Sequence, residues 1–181
     1  MWRRFRGVPV VLMVAWNLAS CDTAARSAAA PAPEAEQVVS AAMKKLYMAA
    51  SAAAPQSAAQ QEVILQMAEQ ASSGKELLLV VRAAVGVFPA GSGPQRAERQ
   101  MRSMVTAKMM DLGTLDQLIE YGTEYPIDPE SARPFVQRML QLGDNNSDPR
   151  VWHGIRVAAF RLKVGDLERQ AEVRGDQLAG R

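Results

Sequence analysis

The sequence is poor in the side chains from which catalytic and metal sites are usually built. It contains one cysteine and one histidine in 181 residues. A hydrolytic triad or a zinc site draws on His, Cys or clustered carboxylates, so both kinds of site are nearly excluded. A single cysteine also excludes an intramolecular disulfide, and the fold must therefore be stabilised by packing alone. We expect no catalytic residue, no metal and no cofactor.

An excess of either charge is also lacking. The chain has 21 basic and 19 acidic residues, and three of the basic ones are Arg3, Arg4 and Arg6. Removing these three from the 21 leaves 18 against 19 acids, so the formal net charge falls from +2 to −1. A nearly neutral chain has no strong electrostatic attraction to nucleic acid. We expect no nucleic-acid partner.

The acidic residues form two small groups in the sequence, but neither indicates a metal site. Asp144 and Asp148 flank two asparagines, and Glu124, Asp128 and Glu130 lie further upstream. The first group lacks the ordered spacing of a calcium loop. Both groups are better explained as helix caps and solvated loops.

Long hydrophobic runs are missing apart from one near the N-terminus. Residues 7–19 are mostly apolar and uncharged, and they follow the basic segment 1–6. This run of 13 residues is shorter than the roughly 20 that cross a bilayer as a helix. A basic segment followed by a short apolar run that ends in small residues is typical of a signal peptide. Residues 1–20 are therefore predicted to be an export signal.

The end of this signal carries a more specific motif. Leu18-Ala19-Ser20-Cys21 resembles the lipobox of bacterial lipoproteins, with an aliphatic residue, two small residues and a cysteine. The resemblance covers residues 1–21 and implies cleavage between Ser20 and Cys21, a diacylglycerol on the Cys21 sulfur and an acyl chain on its amine. Two or three acyl chains anchor a protein stably to a membrane. The alternative is an ordinary secretory signal cut nearby, with Cys21 incidental.

The same resemblance implies a location in the cell envelope, facing the periplasm, on the inner or the outer membrane. Asp22 resembles the residue that keeps lipoproteins of enteric bacteria in the inner membrane. Residues 21–33 consist mostly of Ala, Pro, Ser and Thr without a periodic apolar stripe, which is typical of a flexible tether. Residues 34–181 are predicted to form a single helical domain beyond that tether.

Capping residues, prolines and glycines divide this domain into about seven to eight helices. Ser57, Ser73 and Thr114 are each followed three residues later by Gln or Glu, as in a capping box. Two Asp-Pro pairs, at 128–129 and 148–149, combine an N-cap with proline at the first helical position. The predicted helices span residues 34–54, 58–73, 75–87, 95–112, 115–121, 129–142, 149–164 and 166–178.

Two details of this division have alternatives. The run 77–81 is rich in Leu and Val and could form a strand, although nothing nearby offers it a partner. Pro134 indicates either a kink in the sixth helix or a later start of that helix. Residues 89–94 are rich in Gly, Pro and Ser and are predicted to be a loop.

The predicted fold is all-α and consists of stacked antiparallel helical hairpins, because short turns join helices of moderate length. Residues 157–178, with Ala158, the Gly165-Asp166 turn and Ala171, faintly resemble a tetratricopeptide repeat. That resemblance implies a tetratricopeptide-like superhelix. The chain lacks the consensus at a 34-residue period, however, and shows no convincing second copy.

The seventh predicted helix has the most specific surface pattern. Alternating aromatic and cationic residues run along the flank of its apolar stripe, and they are the candidate partner-binding residues: Trp152, Arg156, Phe160 and Lys163. Trp and Arg are over-represented at interface hot spots. The alternative is that Trp152 and Phe160 pack under the last helix, with the stem of Arg156 between them. His153 lies off the apolar stripe and is expected to be exposed.

The fourth predicted helix has a methionine-rich arc and an arginine arc. The apolar arc is predicted to be core and contains Ala97, Met101, Met104, Val105, Met109 and Leu112. Arg96, Arg99 and Arg102 form the opposite arc, which could meet lipid phosphates or be a solvated face with a Glu98–Arg102 pair. Lys108 lies inside the apolar arc, so we expect its stem to be buried and its amine to reach outward.

These patterns favour a membrane-anchored, noncatalytic lipoprotein that acts as a protein-binding adaptor or scaffold. It would serve as an accessory of a secretion, pilus or envelope-assembly system, with an envelope protein as its partner. One alternative is an immunity-type lipoprotein that neutralises a periplasmic toxin. Another is an enzyme that works with carboxylates alone, since two carboxylates suffice for glycoside hydrolysis.

Overall fold

The computed structural model describes residues 39–88 and 96–180, which contain eight helices and no strand. The helices are α1 (Ala41–Ala52), α2 (Ala58–Gln70), α3 (Gly74–Ala84), α4 (Arg96–Leu112), α5 (Leu115–Glu124), α6 (Pro129–Gly143), α7 (Pro149–Arg161) and α8 (Gly165–Leu178). The predicted all-α fold is confirmed, and the run 77–81 is helical. The predicted signal, the lipobox with Ser20 and Cys21, the tether and most of the loop after α3 lie outside the described residues.

Hydroxyl caps open several of these helices. The side chains of Ser40, Ser57 and Ser73 each accept a hydrogen bond from the backbone N–H three residues later. At α5 the predicted capping box is complete, because Thr114 accepts from the Gln117 N–H and the Gln117 side chain accepts from the Thr114 N–H. Such caps satisfy N–H groups that have no partner inside the helix.

The predicted start of the first helix was wrong. The helix does not run continuously from residue 34, because Ser40 adopts an extended conformation and caps α1. The predicted start of the sixth helix at Pro129 is confirmed, and the alternative of a later start is wrong, because α6 contains Pro134. In both helices a cap or a proline at the first position marks the true start.

The predicted end of the fifth helix at Gly122 was also wrong. The helix continues to Glu124, and Gly122 is buried inside it. A Cβ added to Gly122 would lie 3.2 Å from the Cβ of Ala158 and equally close to the ring of Phe135. Glycine at this position therefore lets α5 approach its neighbours closely, and does not end the helix.

The turn between α7 and α8 differs from the prediction as well. α7 ends at Arg161, and Gly165 begins α8. The chain reverses at Lys163, whose φ of 59° lies in the left-handed region. The Val164 N–H donates to the carbonyl of Ala159 at 3.0 Å, as in a Schellman-type helix end. Lysine thus occupies a conformation that glycine adopts with less strain.

The eight helices pack in one-dimensional order. Each helix contacts the next helix and the next but one, and no described helix contacts another further along the chain. In such a stack the stability of each unit depends on its immediate neighbours. The described residues all belong to one compact unit.

Contacts within the last pair of helices show that they are antiparallel. Arg156 pairs with Glu172, whereas Trp152, four residues earlier on α7, lies beside Arg174, two residues later on α8. Residue numbers therefore rise along α7 as they fall along α8. The two helices form a hairpin, as predicted for neighbours joined by a short turn.

Helices α5 and α7 are parallel, because Gly154 lies against Ile119, Ala158 against Gly122 and Arg161 against Thr123, so that residue numbers rise along both helices. Contacts between other alternate helices recur at similar separations along the chain. Arg82 of α3 meets Glu120 of α5, 38 residues later. Arg133 of α6 meets Asp166 of α8, 33 residues later. The pairs begin at residues 41, 74, 115 and 149, so that successive spacings are 33, 41 and 34 residues. Stacked hairpins are thus present, and the tetratricopeptide-like alternative stays a prediction.

Cationic side chains cap the C-terminal ends of three helices, in each case from the next helix but one. Lys108 of α4 donates to three carbonyls at the end of α2, those of Ala68, Glu69 and Ala71, at 3.0, 2.5 and 3.1 Å. Arg161 of α7 does the same for α5, with Thr123 among its acceptors. Carbonyls at a helix C-terminus lack intrahelical partners and carry partial negative charge, so these cations stabilise the stack.

A further cation, Arg138 of α6, donates to the Met110 carbonyl near the end of α4 at 3.1 Å.

The expectation that the Lys108 amine reaches outward was incomplete. Its stem is partly buried, but its amine is engaged by α2.

Most of the predicted methionine-rich arc of α4 is core. Met101, Val105 and Met109 are buried, whereas Leu112 at the end of the helix is exposed. On the opposite arc Arg102 pairs with Glu98, as expected for that face.

The junction of α1, α2 and α3 contains a buried carboxylate. Glu76 is 2% exposed. It accepts hydrogen bonds from the Ser40 N–H at 2.9 Å, the Ser72 N–H at 2.8 Å and the Ser72 hydroxyl at 3.0 Å. Burial by itself raises the pKa of Glu76, but these hydrogen bonds outweigh it and lower the pKa to about 2. The carboxylate therefore fixes the start of α1 to the start of α3.

Candidate functional site

The groove between α7 and α8 contains two of the four residues singled out from the sequence. Its volume is about 310 Å³, and its walls include Trp152, His153 and Arg156 of α7 and Ala171, Glu172 and Gly175 of α8. The antiparallel packing of the hairpin brings these residues together, although they are spread over two helices.

Trp152 forms the floor of the groove. Its ring is 2% exposed. The indole N–H donates to the Asn146 carbonyl at 2.9 Å, and the Arg174 guanidinium carbon lies 5.9 Å from the ring centroid. Gly143 faces the same ring, since a Cβ there would lie 3.6 Å from it. Trp152 thus supports the hairpin from within, as the alternative interpretation of the sequence expected.

Arg156 lies at the boundary between the two helices. Its guanidinium donates to the Glu172 carboxylate at 3.0 Å, and roughly a third of its side chain, 37%, is exposed. An ion pair with this much exposure contributes little to stability. Its geometry nevertheless holds the guanidinium against α8.

Phe160 does not share the environment of Trp152. Its side chain is 70% exposed, which is unusual for a phenylalanine, and it does not pack under α8. Lys163 is exposed in the turn that follows. The four predicted residues therefore divide into a buried part, Trp152 with a half-buried Arg156, and an exposed part.

The end of the groove near the start of α7 carries charges of both signs, because Arg150 and Asp176 both line it. Asp148 caps α7 by accepting from the Arg150 N–H at 2.9 Å, and it also accepts from the Arg150 guanidinium. These hydrogen bonds lower the pKa of Asp148 and raise that of Arg150. His153 is exposed, as expected. No acidic residue occurs within α7, so its exposed side carries only basic charge.

A second cavity of about 610 Å³ lies beside the turn between α7 and α8. Arg133, Arg161 and Lys163 give it a cationic lining. Two of these cations are already engaged, because Arg133 pairs with Asp166 and Arg161 donates to the end of α5. Hydrogen bonds from Arg133 lower the pKa of Asp166. The cavity therefore offers less free charge than its lining suggests.

From each of the two acidic groups found in the sequence, one residue stands at the N-terminus of a helix. Asp148 caps α7, whereas Asp128 stands at the N-cap of α6 without a side-chain hydrogen bond. Across residues 39–88 and 96–180, no three His, Cys, Asp or Glu side chains are close enough together to hold a metal ion.

Among the described helices, none has the length and apolar character needed to span a membrane.

Sequence reasoning missed the α8 side of the groove. Ala171 and Gly175 lie one helical turn apart and face α7, where Gly175 approaches Trp152. Small residues on a polar helix give no local sign of a groove. Only the spacing of Ala171 and Gly175, read together with Trp152 across the turn, could have indicated it.

In comparisons with known proteins, no family model matches this chain, and neither a curated protein nor a solved structure matches it.

Proposed function

We propose that this chain is a membrane-anchored lipoprotein that binds another envelope protein and has no catalytic activity of its own. It acts as an adaptor or scaffold in a secretion, pilus or envelope-assembly system. The anchor is inferred from the lipobox Leu18-Ala19-Ser20-Cys21. Binding is inferred from the last hairpin of the stack.

The observation that carries the proposal is the contrast between Phe160 and Trp152. With 70% of Phe160 exposed, the chain forgoes most of the solvation free energy that burial of this ring would gain. An exposed aromatic side chain beside cations is common where a protein contacts a partner. Phe160 is not a lining residue of the groove, but it follows the lining residue Arg156 by one helical turn of α7.

The anchor is tested by the mass of the protein extracted from membranes. We expect a mature chain that begins at Cys21 and carries diacylglycerol and an acyl chain. The Cys21→Ser variant should lose this added mass and leave the membrane fraction. An unmodified Cys21 sulfur in the membrane-extracted protein would exclude the anchor.

Partner binding is tested by quantitative recovery of co-purified envelope proteins from gently solubilised membranes. Wild-type protein should recover a defined set, in amounts comparable to its own. Trp152→Ala is a poor probe of binding, because it removes a buried ring. Phe160→Ala changes an exposed side chain and is the better variant. If the wild-type protein recovers no defined set, the adaptor function is wrong.

A further inference from the structure

The first and the last helix of the stack expose different kinds of surface. A stack of helices needs a polar outer face at each end to stay soluble. On α8, seven of the nine exposed residues are polar and include both acids and bases: Asp166, Arg169, Gln170, Glu172, Arg174, Asp176 and Gln177. On α1, six of the nine exposed residues are apolar: Ala41, Ala42, Tyr47, Met48, Ala49 and Ala52. The start of the stack therefore lacks the polar outer face that its end has.

The exposed side of α1 combines apolar residues with two lysines. α1 contacts α2 and α3, and no described helix covers its other side. The residues on that side, which we call the outer face of α1, are Ala41, Lys44, Lys45, Met48 and Ala52. They lie about 100° or more around the helix axis from the buried Met43. Met48 is 67% exposed. The outer face is thus an apolar stripe with one lysine on each side.

The acids of the helices that contact α1 lie away from this face. On α2, the Gln60 side chain reaches α1 and donates to one of its carbonyls at 3.0 Å. Glu62 and Glu69 follow Gln60 by two and nine residues, so they lie about 160° and 180° around the helix axis from it, on the side away from α1. The one acid of α3 is Glu76, which is buried. The two lysines therefore have no acidic neighbour on the outer face.

We propose that the outer face of α1 lies on the phospholipid surface to which the protein is anchored. This inference rests on the proposed anchor at Cys21 and adds a second contact with the same membrane. Met48 and the alanines enter the boundary between headgroups and acyl chains, while the amines of Lys44 and Lys45 reach the lipid phosphates. The stack then stands with α1 on the membrane and the α7–α8 hairpin away from it.

The position of α1 in the chain favours a membrane as the occupant. Residues 22–39 join the proposed anchor to Ser40, which caps α1. The helix that follows the anchor most closely is therefore held at a high effective concentration near the lipid surface. Residues 22–39 carry three acids and one arginine, so the contact depends on the apolar stripe as well as on the lysines.

The size of the outer face argues against a protein as the occupant. α1 has 12 residues and is about 18 Å long. A stable protein–protein interface buries about 800 Å² on each partner, which is more than one side of so short a helix offers. A symmetric contact with a second copy would also bring lysines against lysines. A lipid surface needs no such area, because the anchor already holds the protein there.

The contact is tested with the mature, anchored protein, purified from membranes and returned to vesicles of three parts phosphatidylethanolamine and one part phosphatidylglycerol. Met48→Cys and Phe160→Cys each carry an environment-sensitive fluorophore, since the Cys21 sulfur is blocked by lipid and takes up no label. The two positions are matched in exposure, at 67% and 70%. A doxyl quencher near the lipid headgroup should reduce the emission at position 48 at least about twofold and leave that at position 160 nearly unchanged.

The lysines are tested by a double variant that keeps the label at position 48. Lys44→Glu combined with Lys45→Glu should lower the quenching at least about twofold, because lipid phosphates repel the new carboxylates. The matched control combines Lys163→Glu with Arg169→Glu, which makes the same change of charge at exposed positions of the last hairpin. It should leave the quenching unchanged. Circular dichroism shows whether both double variants keep their helices.

Several results would overturn the proposal. These are no quenching at position 48, equal quenching at positions 48 and 160, or an equal loss of quenching in the two double variants. If position 48 is shielded from a water-soluble quencher in cell membranes but not on the vesicles, a protein covers the outer face and the proposal is wrong. If the wild-type protein takes up label at Cys21, its sulfur is unmodified, and the anchor fails together with this contact.

Discussion

The junction between α1 and α3 and the hairpin of α7 and α8 are stabilised by different interactions. At the first, a buried carboxylate, Glu76, accepts three hydrogen bonds from the chain around Ser40 and Ser72. At the second, a buried ring, Trp152, packs between two helices, and the ion pairs lie at the surface. The α1–α3 junction is thus stabilised by a buried charge, and the α7–α8 hairpin by buried apolar area.

This difference teaches where each end is vulnerable. Removing a partner of a buried charge leaves unsatisfied groups, which cost free energy whatever replaces it. Removing a buried ring leaves a cavity, whose cost depends on how far the neighbours can collapse. The N-terminal junction should therefore respond to pH, and the C-terminal hairpin should respond to side-chain volume.

The largest effect is expected at the ring. Trp152→Ala should lower the free energy of unfolding by about 4 kcal/mol, because truncating a buried tryptophan loses transfer free energy and leaves a cavity. Phe160→Ala on the same helix should change it by less than about 0.5 kcal/mol, because that side chain is already exposed. Urea unfolding followed by circular dichroism measures both. Similar losses for the two variants would contradict the buried position of Trp152.

The next effect is a loss of stability in acid. The pKa of Glu76 is about 2 in the folded protein and 4.5 as its ordinary value. The stabilisation is therefore complete above pH 4.5, and it is lost as the pH falls towards 2. A difference of this size corresponds to about 3 kcal/mol. Unfolding measured across this range, with Glu76→Gln as the reference, isolates the contribution of this carboxyl from that of other acids.

At neutral pH, Glu76→Gln should lower the free energy of unfolding by about 2 kcal/mol. The glutamine amide presents N–H donors where the carboxylate accepts from Ser40 and Ser72, so that at least one donor loses its partner. Glu120→Gln is the matched control, because Glu120 forms only an exposed pair with Arg82. Equal stability of the two variants would show that the N-terminal junction does not depend on the buried charge.

A smaller effect is expected at Lys108. Lys108→Met keeps most of the stem but removes the amine that caps α2, and it should cost about 1–2 kcal/mol. Hydrogen exchange should speed up at the C-terminal end of α2 and leave α8 unaffected, since neighbours dominate in a stack. Uniform acceleration along the chain would contradict this local coupling.

The smallest effect has the opposite sign. Lys163→Gly should stabilise the protein by about 0.5–1 kcal/mol, because glycine adopts a left-handed conformation without the strain imposed by a Cβ. Lys163→Ala, which keeps the Cβ, serves as the control and should give no such gain. Thermal unfolding of the two variants, compared with the wild type, detects the difference.

Much of the helix pattern could be predicted from the sequence because helix starts are local. The hydroxyls of Ser57, Ser73 and Thr114 reach N–H groups only three residues away, and those contacts are present. In the other two predicted capping boxes, the side chain three residues after the cap bonds to other groups and not to the N–H of the cap residue. Glu76 bonds to Ser40 and Ser72, and the Gln60 side chain bonds to the backbone of Gln56 and Ala50.

The candidate site was only partly predictable. The spacing of Trp152, Arg156 and Phe160 places them on one flank of α7, but it does not reveal which of them α8 covers. That depends on Ala171 and Gly175 across the turn, which bring α8 close enough to bury Trp152 and not Phe160. Whether a residue on the flank of a helix is buried depends on the helix that packs against it. The residue spacing along α7 does not specify how α8 packs.

The sequence resemblance to a repeat was limited to residues 157–178 for a related reason. Contacts recur at separations between 33 and 40 residues, yet each uses different residues: an ion pair at Arg82–Glu120, an amine on carbonyls at Lys108, a carboxylate on N–H groups at Glu76. A repeated geometry needs only helices and turns of similar length. It does not need a repeated sequence.

By itself, the sequence determined the all-helical character of residues 39–88 and 96–180 and the start of most helices there, because caps, prolines and apolar spacing act over a few residues. Only the tertiary structure decided that Gly122 lies inside a helix, that Glu76 and Lys108 tie distant helix ends together, and that Phe160 stays exposed. Those outcomes depend on which side chains meet across 28 to 40 residues of chain, where packing and the satisfaction of buried polar groups outweigh local preference.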